Sequence, residues 1–400
     1  MAAKIKPATF VKKNSKSGSG PVIVQIVPAM ERGGVERGTV EMAEAIIAAG
    51  GKAVVISNGG AMVRHLVRAG AVHHELPVHL KNPLKWGFIR RQVRAILKSE
   101  GADLVHVRSR VPAWIALPAA KSLGLISVAT VHGRFKTQSA FKRIYNGKLL
   151  KTDHVIAISN YIKGLITSQF FGVEGRLSVI ARGVDTKVFD PKQVSQSRVV
   201  RFVEDNALPE DAPVVMLPAR PTLWKGHEIL LDALAKLSHR NFLCVLVGAA
   251  DGRQNFIDRI TKRGLELGLE GRFRLVKTVE DMPAALMLAD VVAMPSISPE
   301  PFGRVALEAQ AMGRPVIAFD HGGAAESIEP GKTGWLASPG DADSLAACIE
   351  DALALTNAER AKLAAVSRAH IEQNFSTTRM CRDTIRVYMR LLAKAHMPDR

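Results

Sequence analysis

Short apolar runs rich in Val, Ile and Leu recur along this chain at intervals that leave room for a helix between them. The first series comprises PVIVQIVPA (21–29), KAVVISNGG (52–60), ADLVHVRS (102–109), ISVATVHG (126–133), DHVIAIS (153–159) and LSVIARGVD (177–185). The pattern then restarts with APVVMLPAR (212–220), FLCVLVGAA (242–250), RFRLVKTV (272–279), DVVAMPS (290–296) and PVIAFD (315–320). Runs of this length, apolar on both faces and separated by stretches such as VERGTVEMAEAIIAAG (35–50), fit strands buried in a parallel sheet covered by helices.

The fold class expected is therefore α/β, with two Rossmann-like doubly wound domains facing across a cleft. The expected boundaries are a disordered basic tail over 1–20, a first domain over 21–190 and a second over 191–375. A C-terminal helix over 376–400 crosses back to the first domain. In such sheets ligands sit beyond the carboxyl ends of the strands. With 400 residues, 47% hydrophobic and 23% charged, the chain can fill two cores. No apolar run reaches the ~18–20 residues of a membrane span, and the first twenty residues lack the apolar stretch of an export signal. Cys244, Cys348 and Cys381 have no metal-ligand spacing, which points to a reducing, cytoplasmic setting.

Charge is unevenly placed. Residues 1–200 hold 31 Lys and Arg against 11 Asp and Glu, whereas residues 201–400 hold 24 against 26. A surplus of 20 positive charges in the first half points to an anionic partner for that domain. No nucleic-acid-binding module is present, so nucleic acid is not the expected partner.

Three stretches could hold a diphosphate and its flanking sugars. MERGGVERG (30–38) follows the first strand, and Gly33 and Gly34 would let backbone approach a ligand at a helix N-terminus. In PARPTLWKGHEILLDAL (218–234), Arg220 just past a strand and Lys225 just before a helix could neutralise a pyrophosphate, one as a fork and one as a point charge. In SISPEPFGRVALEAQ (296–310), a helix is expected from Phe302, with the N–H groups of Gly303, Arg304 and Val305 pointing at phosphate. Glu300 lies just outside that helix. Glu308 lies six residues in, roughly 9 Å along the axis. That offset suits carboxylates gripping sugar on one side of a diphosphate and ribose on the other, the order found in a nucleotide-sugar. Asp341 and Asp343 form a D-x-D pattern, but their position before SLAACIEDAL makes them N-terminal caps rather than metal ligands.

The stretch E-P-F-G-R-V-A-L-E resembles the E-x7-E signature of retaining family-4 glycosyltransferases with the GT-B fold. The resemblance covers nearly all of 21–395, through GGVE, THG, RGVD, the Arg…Lys-Gly pair and the PGKTGWL turn. It implies that Glu300 binds the donor sugar and Glu308 the ribose, while Arg220 and Lys225 hold the pyrophosphate with backbone around Gly33 and Gly34. It also implies that Val276, Lys277 and Thr278 lie near the base, and that His132 lies beside the donor sugar. Catalytic roles fall on Glu300, His132, Lys225 and Arg220. Arg182 stands where Asn is usual, Pro301 where Gly is usual, and Lys277 in a segment often uncharged. These departures leave donor and acceptor preference open.

The expected activity is transfer of a hexose from a nucleotide-diphosphate sugar to a lipid-linked or lipopolysaccharide-core glycan, with retention of configuration. Fixed cations would stabilise the leaving group, so no metal and no other cofactor is expected. Two basic stretches with aromatic residues, 82–101 and 132–151, suit an anionic bilayer surface and hence a peripheral place on the inner face of the cytoplasmic membrane. In the first, Trp86, Ile89, Val93 and Ile96 fall at helical spacing. In the second, Phe135, Phe141 and Tyr145 lie among cations. His73, His74 and His79 are expected as surface or loop residues. The alternatives are a nucleotide-sugar epimerase of the same fold and a non-enzymatic sugar-binding protein.

Overall fold

In the computed structural model, which describes residues 9–10, 20–135, 139–209 and 211–395, the apolar runs form two separate parallel sheets. The first contains β1 (Val22–Ile26), β2 (Lys52–Ser57), β3 (Val72–Glu75), β4 (Leu104–Val107), β5 (Ile126–Val131), β6 (His154–Ala157) and β7 (Leu177–Val179). Its order is β3-β2-β1-β4-β5-β6-β7. The second contains β8 (Val214–Pro218), β9 (Leu243–Val247), β10 (Phe273–Val276), β11 (Val291–Met294), β12 (Val316–Phe319) and β13 (Trp335–Ala337), in the order β10-β9-β8-β11-β12-β13. All described strand pairs are parallel, so each connection must cross over through a helix.

Strand order reverses between β1 and β4 in the first sheet and between β8 and β11 in the second. At such a point the helices leave on opposite faces, and a crevice opens at the carboxyl ends of the two strands. Those two crevices decide where ligands can sit.

Two strands escaped the sequence pattern. β3 reads Val-His-His-Glu and lies at a sheet edge, paired with β2 by Val54↔Val72 through Ser57↔Glu75. His73 and His74 are thus partly exposed residues of an edge strand. His73 Nε2 meets Ser57 Oγ at 2.8 Å, and His74 Nε2 meets Glu100 at 2.7 Å. β13, only three residues, closes the opposite edge of the second sheet.

One compact unit comprises the described residues between Lys4 and Ala181 together with those from Thr378 onward, and the other comprises Arg182–Thr377. The passage between them falls earlier than the expected residue 190. Val184 explains this, because it forms a bridge with Ser376 and exchanges backbone hydrogen bonds with Phe375 and Thr377. Gly183 presses so close there that a Cβ would lie 2.4 Å from the Thr377 nitrogen.

The helix Thr377–Ala395 completes the first core. Met380, Cys381, Ile385, Val387 and Tyr388 pack with Ile23, Val55 and Leu104. Tyr388 is fully buried, its hydroxyl 2.5 Å from His106 Nδ1, while His106 Nε2 meets Thr130 Oγ1 at 2.8 Å. A buried ring with both nitrogens engaged is satisfied without charge, and burial holds its pKa well below 6.5. Most of the expected tail lies outside the described residues. Phe10 does not behave as tail: it is buried, and its N–H donates to the Ala49 carbonyl at 2.9 Å.

The apolar stripe expected to face a bilayer on the helix Pro83–Ser99 is partly core instead. Ile89, Val93 and Leu97 are buried, whereas Leu84 and Phe88 are exposed. On the helix Ala140–Gly147, Phe141 and Ile144 are exposed, while Tyr145 stacks on Trp114. Phe135 packs edge-on against Phe170. No described helix is long and apolar enough to cross a membrane.

Candidate active site

The second sheet gathers the motif residues at its switch point. After β8 the chain passes the exposed Arg220 and enters a one-turn 3-10 segment, Leu223–Lys225, which Gly226 ends in the left-handed conformation at φ 81°. A Cβ on Gly226 would lie 1.8 Å from the Pro295 carbonyl oxygen, so only glycine lets this turn close against the segment leaving β11. The Ile297 N–H donates to the Trp224 carbonyl at 2.8 Å and fastens the two segments together.

That clamp fixes one ion pair. Lys225 Nζ lies 2.7 Å from Glu300 Oε1, with both side chains nearly buried, and the same oxygen accepts from Ser296 Oγ at 2.5 Å. Lys225 also sits 4.5 Å from the Trp224 ring centroid. The loop carrying Glu300 is held from behind. Gly323 N–H donates to the Glu300 carbonyl at 2.7 Å, and His321 Nε2 lies 2.7 Å from the Ser296 carbonyl oxygen. At Gly322, φ 69°, a Cβ would come within 2.7 Å of the Glu300 oxygen. The carboxylate is thus held by an immobile backbone rather than by a free loop.

The next helix begins at Arg304, not at Phe302. Gly303 is its N-cap in the left-handed conformation, φ 85°, and cannot belong to the helix. The Ala306 N–H already donates to the Gly303 carbonyl, leaving Arg304 and Val305 to present the first N–H groups. Glu308 consequently stands in the fifth helical position and pairs with Arg304 at 3.2 Å, one turn earlier on the same face. Phe302, expected near the ligand, has its ring buried near Phe375, so only its backbone can reach a ligand.

Val276 ends β10 and is buried, while Lys277 and Thr278 are exposed. The Thr278 N–H is taken by Asp251 Oδ2 at 2.6 Å. Hydrogen bonds from Thr278 hold that carboxyl below its usual range. This backbone donor is therefore spent inside the protein rather than open to a base. Asp341 caps the helix Ala342–Ala354, accepting from Asp343 and Ser344 N–H groups, as the D-x-D position implied.

The remaining motif residues lie at the switch point of the first sheet. Gly33 is the extended N-cap of the helix Gly34–Ala48, with the Glu36 carboxylate folded over it. His132 follows β5 and lines a cavity of about 240 Å³ together with Pro28, Glu36, Arg108 and Arg110. The structure thus divides the expected site residues between two units: eleven in the second, of which Val276, Lys277 and Thr278 lie at the edge strand β10 rather than at the β8/β11 switch point, and Gly33, Gly34 and His132 in the first. Sequence reading missed Ser296, His321 and Arg108. The first two act through backbone folding that no spacing rule reveals, whereas Arg108 stood in view as a charge ending an apolar run.

Comparison with known proteins agrees with this arrangement. Residues 32–188 match the Glycosyltransferase Family 4 model, and residues 201–369 match the model of glycosyl transferases group 1. A D-inositol 3-phosphate glycosyltransferase of Xylanimonas cellulosilytica is 30% identical over 292 residues, 68% of each protein. Related enzymes of Corynebacterium and Jonesia match over about half of their length. A glycosyltransferase from Rickettsia africae ESF-5 superimposes with a TM-score of 0.86 at 34% identity, covering 93% of this chain and 98% of that one. Anabaena Alr3699/HepE, crystallised with UDP, shares the fold at TM-score 0.79 and 24% identity, over 92% and 99% of the two chains. With two parallel α/β units, the motif residues at their switch points and these matches along the sequence, this chain belongs to the family-4 glycosyltransferases of GT-B fold.

Proposed function

We propose that this enzyme moves a hexose from a nucleotide-diphosphate sugar to an anionic glycan or glycolipid acceptor, with retention of anomeric configuration. The Lys225–Glu300 pair at the β8/β11 switch point carries this reading. A lysine and a carboxylate this close, on clamped backbone, can each exchange its partner for part of one ligand. The diphosphate takes the Lys225 charge with Arg220 and the N–H groups of Arg304 and Val305. Glu300 then accepts from the sugar hydroxyls, and Glu308 from the ribose. The E-x7-E resemblance supports a nucleotide at this place, and the UDP complex of Alr3699/HepE supports a nucleotide ligand for the fold.

Transfer follows a front-face course. The acceptor oxygen bonds to the anomeric carbon as that carbon's bond to the diphosphate breaks, and the acceptor's hydroxyl proton passes to the departing phosphate oxygen. Catalysis then rests on stabilising the leaving group and placing the sugar, the latter by Glu300. This scheme needs no metal or further cofactor. Thermal-shift titration with UDP- and GDP-linked sugars tests the donor. A ligand at 100 times its Kd adds about 2.7 kcal/mol of stability, and absence of any shift across the panel ends the reading. NMR of the product's anomeric signals tests retention, and an inverted product refutes the front-face course.

The acceptor side is read as membrane-associated, on the inner face of the cytoplasmic membrane. A cavity of about 480 Å³ in the first unit is lined by Arg143, Lys148, Lys151 and Arg176, with the exposed Ile144 and Phe171 beside them. Cations around an apolar rim suit anionic headgroups above acyl chains, and a lipid-linked or lipopolysaccharide-core acceptor would be met there. Vesicles rich in phosphatidylglycerol should retain the protein at low salt and release it at high salt, while phosphatidylcholine vesicles should not retain it. Equal retention by both lipids refutes the electrostatic attachment.

A further inference from the structure

Arg108 occupies an unusual place. It directly follows β4, beside β1, at the switch point of the first sheet, and only 6% of its surface is exposed. Its Nε donates to Gln25 Oε1 at 3.0 Å, and Gln25 is held in turn by its own bond to the Thr39 carbonyl. The terminal nitrogens make no hydrogen bond among the described residues, and no carboxylate forms an ion pair with the group. Burial pulls the guanidinium's hold on its proton below the usual value, opposed mainly by Tyr388, Cys381 and Glu41 at longer range. A cation kept almost dry without an ion-pair partner is expensive, and an anionic ligand would offset that cost.

The side chain lines the cavity it shares with Arg110, Ser109 and His132. Arg110 is exposed and leans on Asn146, its Nη1 donating to Oδ1 at 3.0 Å. Glu36 supplies the one acid of the lining, against two arginines. At about 240 Å³ the cavity has room for a substituted sugar ring.

We infer that this cavity recognises a sugar bearing an anionic group, a carboxylate or a phosphate, with Arg108 as its buried anchor and Arg110 at the mouth. The inference rests on the proposed transferase reading only in taking that sugar as part of the acceptor. Paired oxygens of a carboxylate or phosphate match the guanidinium fork, and the Nε–Gln25 bond sets the fork's direction before the ligand arrives. A neutral sugar would leave the buried charge uncompensated, so the site selects against it.

Saturation-transfer NMR on the full chain provides the test, with glucuronate, glucose 6-phosphate and glucose as probes. The anionic sugars should bind and glucose should not. A stronger glucuronate response assigns the ligand a carboxylate, and a stronger glucose 6-phosphate response assigns it a phosphate. Arg108→Gln should weaken the anionic probes by about tenfold or more, the loss of one charge-assisted hydrogen bond. Arg110→Gln, at an exposed position, should weaken them by a smaller factor and decides the matter if the first variant fails to fold. Lys225→Met should leave their binding unchanged. Glucose binding as well as the anionic probes, no binding of either anion, or full anion binding by the Arg108 and Arg110 variants would overturn the inference. A failed thermal shift with nucleotide-sugars would instead strike the donor reading and leave this one standing.

Discussion

The two switch points solve opposite electrostatic problems. At β8/β11 each acid has a cation within its own unit, Lys225 for Glu300 and Arg304 for Glu308. At β1/β4 a buried guanidinium has a neutral amide for company. The first arrangement balances its charges within the protein. The second leaves a charge that, by the inference above, an anionic ligand balances. The backbones differ in the same sense. Gly226 is pressed against a carbonyl oxygen that cannot yield, whereas Gly33 faces the movable end of the Glu36 side chain.

The comparison breaks most readily at the paired site. Lys225→Met and Glu300→Gln should each lower turnover by about a hundredfold or more, roughly 2.7 kcal/mol of lost transition-state stabilisation. Each also strands a nearly buried partner, so denaturant midpoints should fall. The double variant should recover much of the midpoint and none of the turnover. Recovery of both would make the pair structural only.

A second test sets glycine against glycine. Gly226→Ala should destabilise by about 3 kcal/mol or more, since backbone must move and the left-handed φ is strained. Gly33→Ala should cost under about 1 kcal/mol, because a carboxylate can swing away. Equal costs, read by urea denaturation, would erase the difference between the two turns.

The last effect is shared. Burial holds both His154 and His227 at a pKa of about 4, against the usual 6.5. Arg390 adds to this at His154 and Lys225 at His227. Folded, these rings stay neutral down to about pH 4, while the unfolded chain binds protons below 6.5. Their contribution is complete above that value and falls with acidification through the window between, by at most about 1.4 kcal/mol per pH unit for each. Urea midpoints should drop between about pH 7 and pH 5. His227→Phe should flatten the dependence, and an unchanged slope would show that this ring does not titrate on unfolding.

Most of the architecture was legible because strands buried on both faces must be written in apolar residues. β3 was not, since an edge strand reading Val-His-His-Glu is held by pairing and by Ser57 rather than by burial. At the site, Glu300, Lys225 and Glu308 were legible from a resemblance. The bond joining Lys225 to Glu300 was not, because it spans 75 positions and depends on how two turns close. The start of the helix at Arg304 was misplaced for a local reason: Gly303 was counted as helical when its left-handed φ makes it the cap. The stripe Ile89–Val93 was read toward a membrane, yet the neighbouring helix Arg110–Lys121 offers a nearer apolar surface.

The helix Thr377–Ala395 supplies the buried Tyr388 to a core whose strands all precede residue 180. During synthesis the first unit therefore emerges from the ribosome with an open groove where that helix belongs. It must wait, partly unsealed, until the whole of Arg182–Thr377 has been translated. Premature termination anywhere in the second unit would thus release a damaged first one, making a half-made enzyme a substrate for quality control rather than a lone working domain.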